Sequence, residues 1–525
     1  MKYIKHLLLV GIVATFGVSC TDNFEELNTR PDALIANEVD ATLLGQAFAQ
    51  SQYTTMHGLH WRFQISENLF SDLYAQYFAT TAANFDSDRY VEVGRWIDLA
   101  WTSFYGEAAP NIKFVEDLAA ENGLTVENAI AKVWRVQAYH RQTDYWGPII
   151  YSEFGNGETS VAYDPQEEIY RSFFPTLDEA VAVLKANAGG SAFASDDQIY
   201  GGSVDQWLTF ANSLRLRLAM RIRYADPALA KAEAEKAVAD GVMTDNTDNA
   251  FILTTPNSLN PFTTITNWGE FRMSALMESI LEGYDDPRLA LYFSPAASGD
   301  GDGDGSPYEG LRNGQAKVDK VPALNSDNSD MALRWLPEAK GGANPPIKVM
   351  SAAEVYFLRA EGALIGWNMG GTAEELYNQG IAMSMRELGD PTEDQIQAYI
   401  NSTSTPVEIG DGAKPPSDIP VKYEAGADQE RQLEQIITQK WIALYPDGWE
   451  AFAELRRTGY PKIYPLLNVE NPDLAADDIF RRMTFVESEF ANNQAAVEAA
   501  QQLPELQSRG GDENSTRVWW DQKNQ

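Results

Sequence analysis

Asn84, Asp86, Asp88, Arg89, Tyr90 and Trp96 fall within one short stretch, ANFDSDRYVEVGRWIDLAW, and Asn267, Trp268, Glu270 and Arg272 fall within another, ITNWGEFRMS. A pyranose ring has a C–H face that can lie on an aromatic ring, and its hydroxyls need planar donors and acceptors such as amide, carboxylate and guanidinium groups. Both stretches supply that mixture. Tyr308 and Arg312 in SPYEGLRNG, with Trp335 in LRWLPE, add further rings and a further guanidinium. Aromatic side chains also bury readily, so each ring taken singly fits packing as well as it fits a ligand. As a set, Asn84, Asp86, Arg89, Tyr90, Trp96, Asn267, Trp268, Arg272, Tyr308 and Trp335 are the expected ligand contacts.

Metal chemistry is suggested at one place. In GDGDGDGSPYEG, Asp300, Asp302, Asp304 and Gly305 follow D-x-D-x-D-G, the opening half of a calcium loop whose oxygens must converge on one hard cation. The twelfth position is Leu311 instead of a bidentate glutamate, and Pro307 interrupts, so Glu309 serves only in an altered loop. Calcium on Asp300, Asp302 and Asp304 is the expectation set against a flexible acidic loop, and nothing in the sequence requires a cofactor. His57 and His60 in MHGLH are three residues apart, but without H-E-x-x-H zinc is not expected.

No catalytic signature stands beside these groups. The chain has no G-x-S-x-G, no G-x-x-x-x-G-K-[ST] and no G-x-G-x-x-G after a strand. A glycoside hydrolase would need two carboxylates roughly 5 to 9.5 Å apart across a cleft, and 76 acidic residues make sequence-level pairs uninformative. A hydrolase therefore stays only as the rival from another class.

Those acids, against 40 basic residues, give a formal net charge of −36. Nucleic-acid binding draws its affinity from cations that neutralise phosphates, so that partner is excluded by sign. The same field repels anionic head groups, and membrane attachment must come from elsewhere. Lys2, Lys5 and His6 precede an uncharged run from Leu7 to Val18, and Cys20, the one cysteine among 525 residues, follows directly. The run is too short for a membrane span of ~20 residues but suits a secretory signal. Cys20 at its end is expected to carry lipid, since a residue bearing several acyl chains anchors durably. The expected division is a signal at 1–19, a tether and arm at 20–39, and one domain at 40–525.

The elements that must position the site are helical. Apolar residues recur at spacings of three and four in VDATLLGQAFAQSQY, NLFSDLYAQYFATT and AKVWRVQAYHRQTDYWG. Helical hairpins are expected at 207–224 with 227–240, on either side of Gly370-Gly371 with Thr372 as N-cap and Glu375 three residues on, and around Pro446-Asp447-Gly448. Pairs of roughly 34 residues are the tetratricopeptide unit. The fold class is all-α, a scaffold of tetratricopeptide-like hairpins. Trp441, Tyr445, Trp449 and Phe452 repeat at helical spacing and are assigned to the core, with Arg456 and Arg457 paired or capping. Stretches rich in Gly, Pro, Asn, Asp and Ser at 254–268, 294–346 and 401–426 read as loops bearing the site.

With these residues in view, NFEELNTRPDAL, WGPIIYSEF, AAEVYFLRAEGAL, QKWIALYPDGWEAFAELRRTGYP and RRMTFVESEFANN together resemble the SusD/RagB family, and more narrowly its SusD-like nutrient-binding lipoproteins. The resemblance runs from Cys20 to about Asn493. It implies a non-enzymatic, lipid-anchored protein on the outer face of the outer membrane that captures oligosaccharides and delivers them to a SusC-like TonB-dependent transporter. It also implies an α-helical fold with four tetratricopeptide-like pairs. A peptide-binding member of the same family is the near alternative.

Overall fold

The computed structural model describes residues 42–475 and 477–523, so Cys20, the predicted signal and the tether lie outside the described residues. Eight helices make four hairpins: α1 (Thr125–Trp146) with α2 (Gln166–Ala186), α3 (Val204–Arg221) with α4 (Pro227–Asp240), α5 (Ala352–Leu364) with α6 (Ala373–Leu388), and α7 (Gln429–Leu444) with α8 (Gly448–Thr458). Local chemistry sets their limits. The Ser203, Asp226, Ser351, Asp428 and Asp447 side chains each accept an N–H from the first turn of the helix they precede. At α6 the expected capping box is complete: Glu375 N–H donates to Thr372 Oγ1 at 3.2 Å, and Thr372 N–H donates to Glu375 Oε2 at 2.9 Å. Gly147 and Gly459 end α1 and α8 at φ 76°, a left-handed conformation that costs glycine little.

The hairpins stack in chain order, α2 on α3, α3 on α5 and α5 on α7, and α8 returns to touch α1. From Leu44 onward the described residues form one compact unit. Small residues allow the close approaches: Ala230, Ala234 and Ala237 of α4 are buried, and Gly380 of α6 lies so near the Phe357 ring that a Cβ would stand 2.8 Å from it. Trp441, Tyr445, Trp449 and Phe452 are all buried, as their spacing predicts. Tyr145 and Trp449 stack at 3.5 Å and tie α1 to α8.

A buried ionic network crosses the same contacts. Arg217 of α3 meets Glu354 of α5 at 2.6 Å, Arg221 meets Glu450 at 2.5 Å, and Arg457 meets both Glu361 and Glu454. Burial alone would raise Glu454, but Arg457, Lys440 and Arg221 hold it well below the usual carboxylate range. Arg456 instead donates to the carbonyls of Asp144 and Arg481, at 2.6 and 2.8 Å.

The segment NLFSDLYAQYFATT departs from its expected helix. Gln64–Asp72 is a π-helical stretch buried along its whole length, and β1 (Phe78–Thr80) follows as a strand. Complete burial removes the face-to-face difference that separates helix from strand periodicity, so an apolar pattern cannot distinguish them there. Strand β1 pairs antiparallel with β3 (Phe271–Met273), and β2 (Ala250–Ile252) pairs with β4 (Ile347–Met350). Within the expected loops, a short helix at Pro261–Thr266 starts where the Asn260 side chain accepts the Phe262 N–H. No described helix is long and apolar enough to cross a membrane.

Candidate functional site

The β1–β3 ladder joins the two ring-and-amide stretches that lie far apart in the chain. Thr80 stands opposite Phe271, and Thr81 N–H and Thr80 Oγ1 both donate to the Glu270 carbonyl, at 2.9 and 2.8 Å. Behind the ladder Phe85 stacks on Phe271 at 5.9 Å, and Trp96 meets the edge of Phe85 at the same distance. In front, Asn84, Asn267 and Trp268 remain exposed, with Trp268 41% accessible. A third segment completes this face: Thr81 Oγ1 donates to Asn325 Oδ1 at 2.8 Å, and Arg272 Nε donates to the Asn325 carbonyl at 3.0 Å.

Several expected contacts turn out to be framework. Tyr90 is buried edge-on against Tyr74, and Trp96 packs between Phe70 and Phe85. Arg89 is buried between Asp86 and Glu470, at 2.6 and 2.8 Å, and Arg272 is spent on the carbonyls of Phe271 and Asn325. Trp335 is also buried, its indole N–H donating to the Leu291 carbonyl at 3.1 Å. These five side chains have their rings or donors occupied by protein, which withdraws them from an exposed ligand face. Asp86 stays partly exposed but is engaged by Arg89. Tyr308 falls elsewhere, half-buried beside the acidic loop, where burial and Glu282 raise its hydroxyl.

The sequence reading missed Trp61. It is 40% exposed on the single helical turn His60–Phe63, which packs on Pro261–Thr266. One turn on, Gln64 Nε2 donates to Glu270 Oε2 at 2.8 Å, which ties this turn to the segment that carries Trp268. The neighbouring Arg62 guanidinium lies 4.9 Å from the centre of the Trp61 ring, and the segment that its turn packs on comes from about 200 positions away.

At the acidic loop, ligand oxygens of Asp300, Asp302 and Asp304 all lie within 4.8 Å of one another. Backbone N–H groups shape the turn: Gly303 and Gly305 donate to Asp300, Asp304 to Asp302, and Gly301 to Glu309 Oε1 at 2.5 Å. Beneath it Glu278 is pushed up to about 9 by burial, with Glu282, Glu309 and Asp302 adding to the rise. Glu282 is pushed up to about 7, again by burial first and then by Asp304 and Glu309. Burial and neighbouring carboxylates thus favour the protonated forms of Glu278 and Glu282, and the all-oxygen donor set of the loop suits a hard ion.

Comparison with known proteins agrees with this architecture. The family model described as SusD-like, "Susd and RagB outer membrane lipoprotein", matches residues 26–521. A chitin-binding SusD homolog from Flavobacterium johnsoniae is 38% identical, with a TM-score of 0.82, covering 92% of this chain and 99% of that one. SusD homologs from Bacteroides uniformis and Bacteroides thetaiotaomicron are 33% and 31% identical, each with a TM-score of 0.81 over 92% of this chain, and over 100% and 99% of theirs. No curated protein sequence matches the chain. The helical hairpins and these likenesses lead to one assignment: the chain belongs to the SusD-like family of outer-membrane lipoproteins.

Proposed function

We propose that this protein binds an oligosaccharide on the exposed face made by Asn84, Asn267, Trp268, Asn325 and Trp61. The observation that supports the reading is the β1–β3 ladder, which brings together the segments that carry exposed Asn84 and exposed Trp268, with Asn325 bonded to Thr81 beside them. Indole offers a flat apolar surface to the C–H face of a sugar, and the amides offer both donors and acceptors to its hydroxyls. The chitin-binding relative supports a glycan as ligand. Cys20 would carry the lipid that holds the protein at the outer-membrane surface, and a SusC-like TonB-dependent transporter would receive the ligand. No catalytic step is assigned. Calcium is proposed at Asp300, Asp302 and Asp304, where it would rigidify the loop without taking part in binding chemistry.

Isothermal titration of the soluble chain beginning after Cys20, against chito-oligosaccharides, other glycans and peptides, tests this reading. Trp268→Ala should weaken the bound glycan by roughly 1 to 2 kcal/mol, about 5- to 30-fold, on the scale of aromatic contacts. A peptide that binds where every glycan fails would move the assignment to the peptide-binding alternative, and glycan cleavage by the pure protein would sink the binding-only reading.

A further inference from the structure

Glu270 sits where the segments bearing Trp61 and Trp268 are tied together. It follows Trp268 by two residues, and its carbonyl, which accepts the Thr81 N–H at 2.9 Å, extends the β1–β3 ladder by one position. Side chains alternate along a strand, so with Phe271 turned back onto Phe85, Glu270 is directed to the front of the ladder. There Oε2 accepts from Gln64 Nε2 at 2.8 Å, and Oε1 takes no hydrogen bond among the described residues. The side chain is half-buried, and burial pushes the carboxyl up against the pull of Gln64.

The cations around this face are already committed. Arg89 lies between Asp86 and Glu470, Arg272 donates to the Phe271 and Asn325 carbonyls, and buried Lys320 meets Asp88. Arg62 pairs with Glu107 and lies over the Trp61 ring. In the segment that carries Asn325, one exposed lysine, Lys317, is outnumbered by exposed Asp319 and Asp327. No described cation pairs with Glu270 itself. Beside Trp268 a cleft of about 440 Å³ opens, within the size range of ligand pockets. Thr264, four residues before Trp268, is on its wall with Thr254, Thr255, Thr263 and Asn344, and Glu338 is its one charged lining residue among those described.

We propose, building on the glycan reading above, that this face selects neutral oligosaccharides and that Glu270 is the group that turns away chains carrying carboxylate or sulfate. An acidic chain would bring a second negative charge beside a half-buried carboxylate, with no cation to offset either, and like charges repel strongly where water is partly excluded. The net charge of −36 adds a field of the same sign. A neutral sugar meets no such repulsion. Its hydroxyl or acetamide N–H can donate to Oε1, a charge-assisted bond that the carboxylate still has room to accept. The threonine hydroxyls and the Asn344 amide extend the same preference into the cleft.

The test pairs each neutral probe with an acidic twin. Chitotetraose, cellotetraose and mannotetraose are titrated calorimetrically into the soluble chain beginning after Cys20, each beside its C6-carboxyl form, which keeps the rings and linkages and adds the charge. A neutral probe that binds should do so at least tenfold more tightly than its twin, and Trp268→Ala should weaken it, which fixes the contact to this face. Glu270→Gln keeps the size of the side chain and an acceptor beside Gln64, and should narrow the gap at least threefold. Raising sodium chloride from about 20 to about 500 mM should narrow the wild-type gap by a similar factor through screening, an arm that needs no variant to fold. A carboxyl form that matches its neutral twin would overturn the proposal, as would a gap unmoved by salt or by folded Glu270→Gln. Wild-type affinity in Trp268→Ala would place the binding elsewhere and overturn the assignment to this face. Silence from every neutral and acidic probe would instead count against the glycan reading itself, and this selectivity would fall with it.

Discussion

Lys320 and Asp88 are both buried to nothing at their side chains and meet at 2.9 Å, and this pair pins the segment around Asn325 to the Asp86–Arg89 turn beneath the ligand face. Lys320→Met strands Asp88 without its partner, and breaking a buried pair in this way costs about 3 to 5 kcal/mol. Urea unfolding should show that loss. Asp72 sets a pH signature of its own. Burial first, with Asp447 adding, pushes it up to about 7 from 3.8, against the pull of the Asn68 amide and Arg141. The folded chain therefore keeps a proton that the unfolded chain releases, so this group's stabilising contribution is greatest at the acid end of that window and is lost as pH rises through about 7. Asp72→Asn should flatten the stability–pH profile across the window by on the order of 1 kcal/mol per pH unit, read from melts of the two proteins side by side. At this scale the sequence was legible in part. Asn84, Asn267 and Trp268 could be read as exposed polar and ring groups, but Arg89, Tyr90, Trp96, Arg272 and Trp335 have the same composition and are inside. Residue type does not encode whether a neighbour far along the chain has already taken its donors or its face.

Helix limits were far more legible, because caps and breakers act within a few residues. Thr372 with Glu375, Asp447 before α8 and Gly147 after α1 all behave as local chemistry predicts. The π-helical stretch and β1 were not legible, since their backbone is decided by what encloses them on every side. The α8 start shows how tightly the two regions fit. A Cβ on Gly448 would stand 2.7 Å from the Asp72 Cα and 2.9 Å from its backbone nitrogen. Gly448→Ala must push α8 away from the π-helical stretch and should lower the melting temperature by several degrees, on the 1 to 3 kcal/mol scale of overpacking. A melting temperature unchanged by this substitution would mean that the two elements are not held in contact.

For the molecule as a whole, a net charge of −36 and a crowded acidic loop make cations the natural stabilisers. Millimolar calcium at pH 7 should raise the melting temperature, chelator should reverse the rise, and Asp302→Asn should abolish it while magnesium has less effect. Equal shifts in wild type and Asp302→Asn would reduce the effect to general screening of a highly acidic surface.

Short-range spacing was enough to read the helical hairpins, their caps and the aromatic core of α7 and α8, and the resemblance to the SusD/RagB family was carried by whole segments of sequence. Which rings face outward, and that the turn bearing Trp61 packs beside the segment bearing Trp268, were set by the tertiary fold. The reason is physical: helix propensity and capping are energies between near neighbours in the chain, whereas exposure, charge balance and cavity shape are set by contacts between residues hundreds of positions apart.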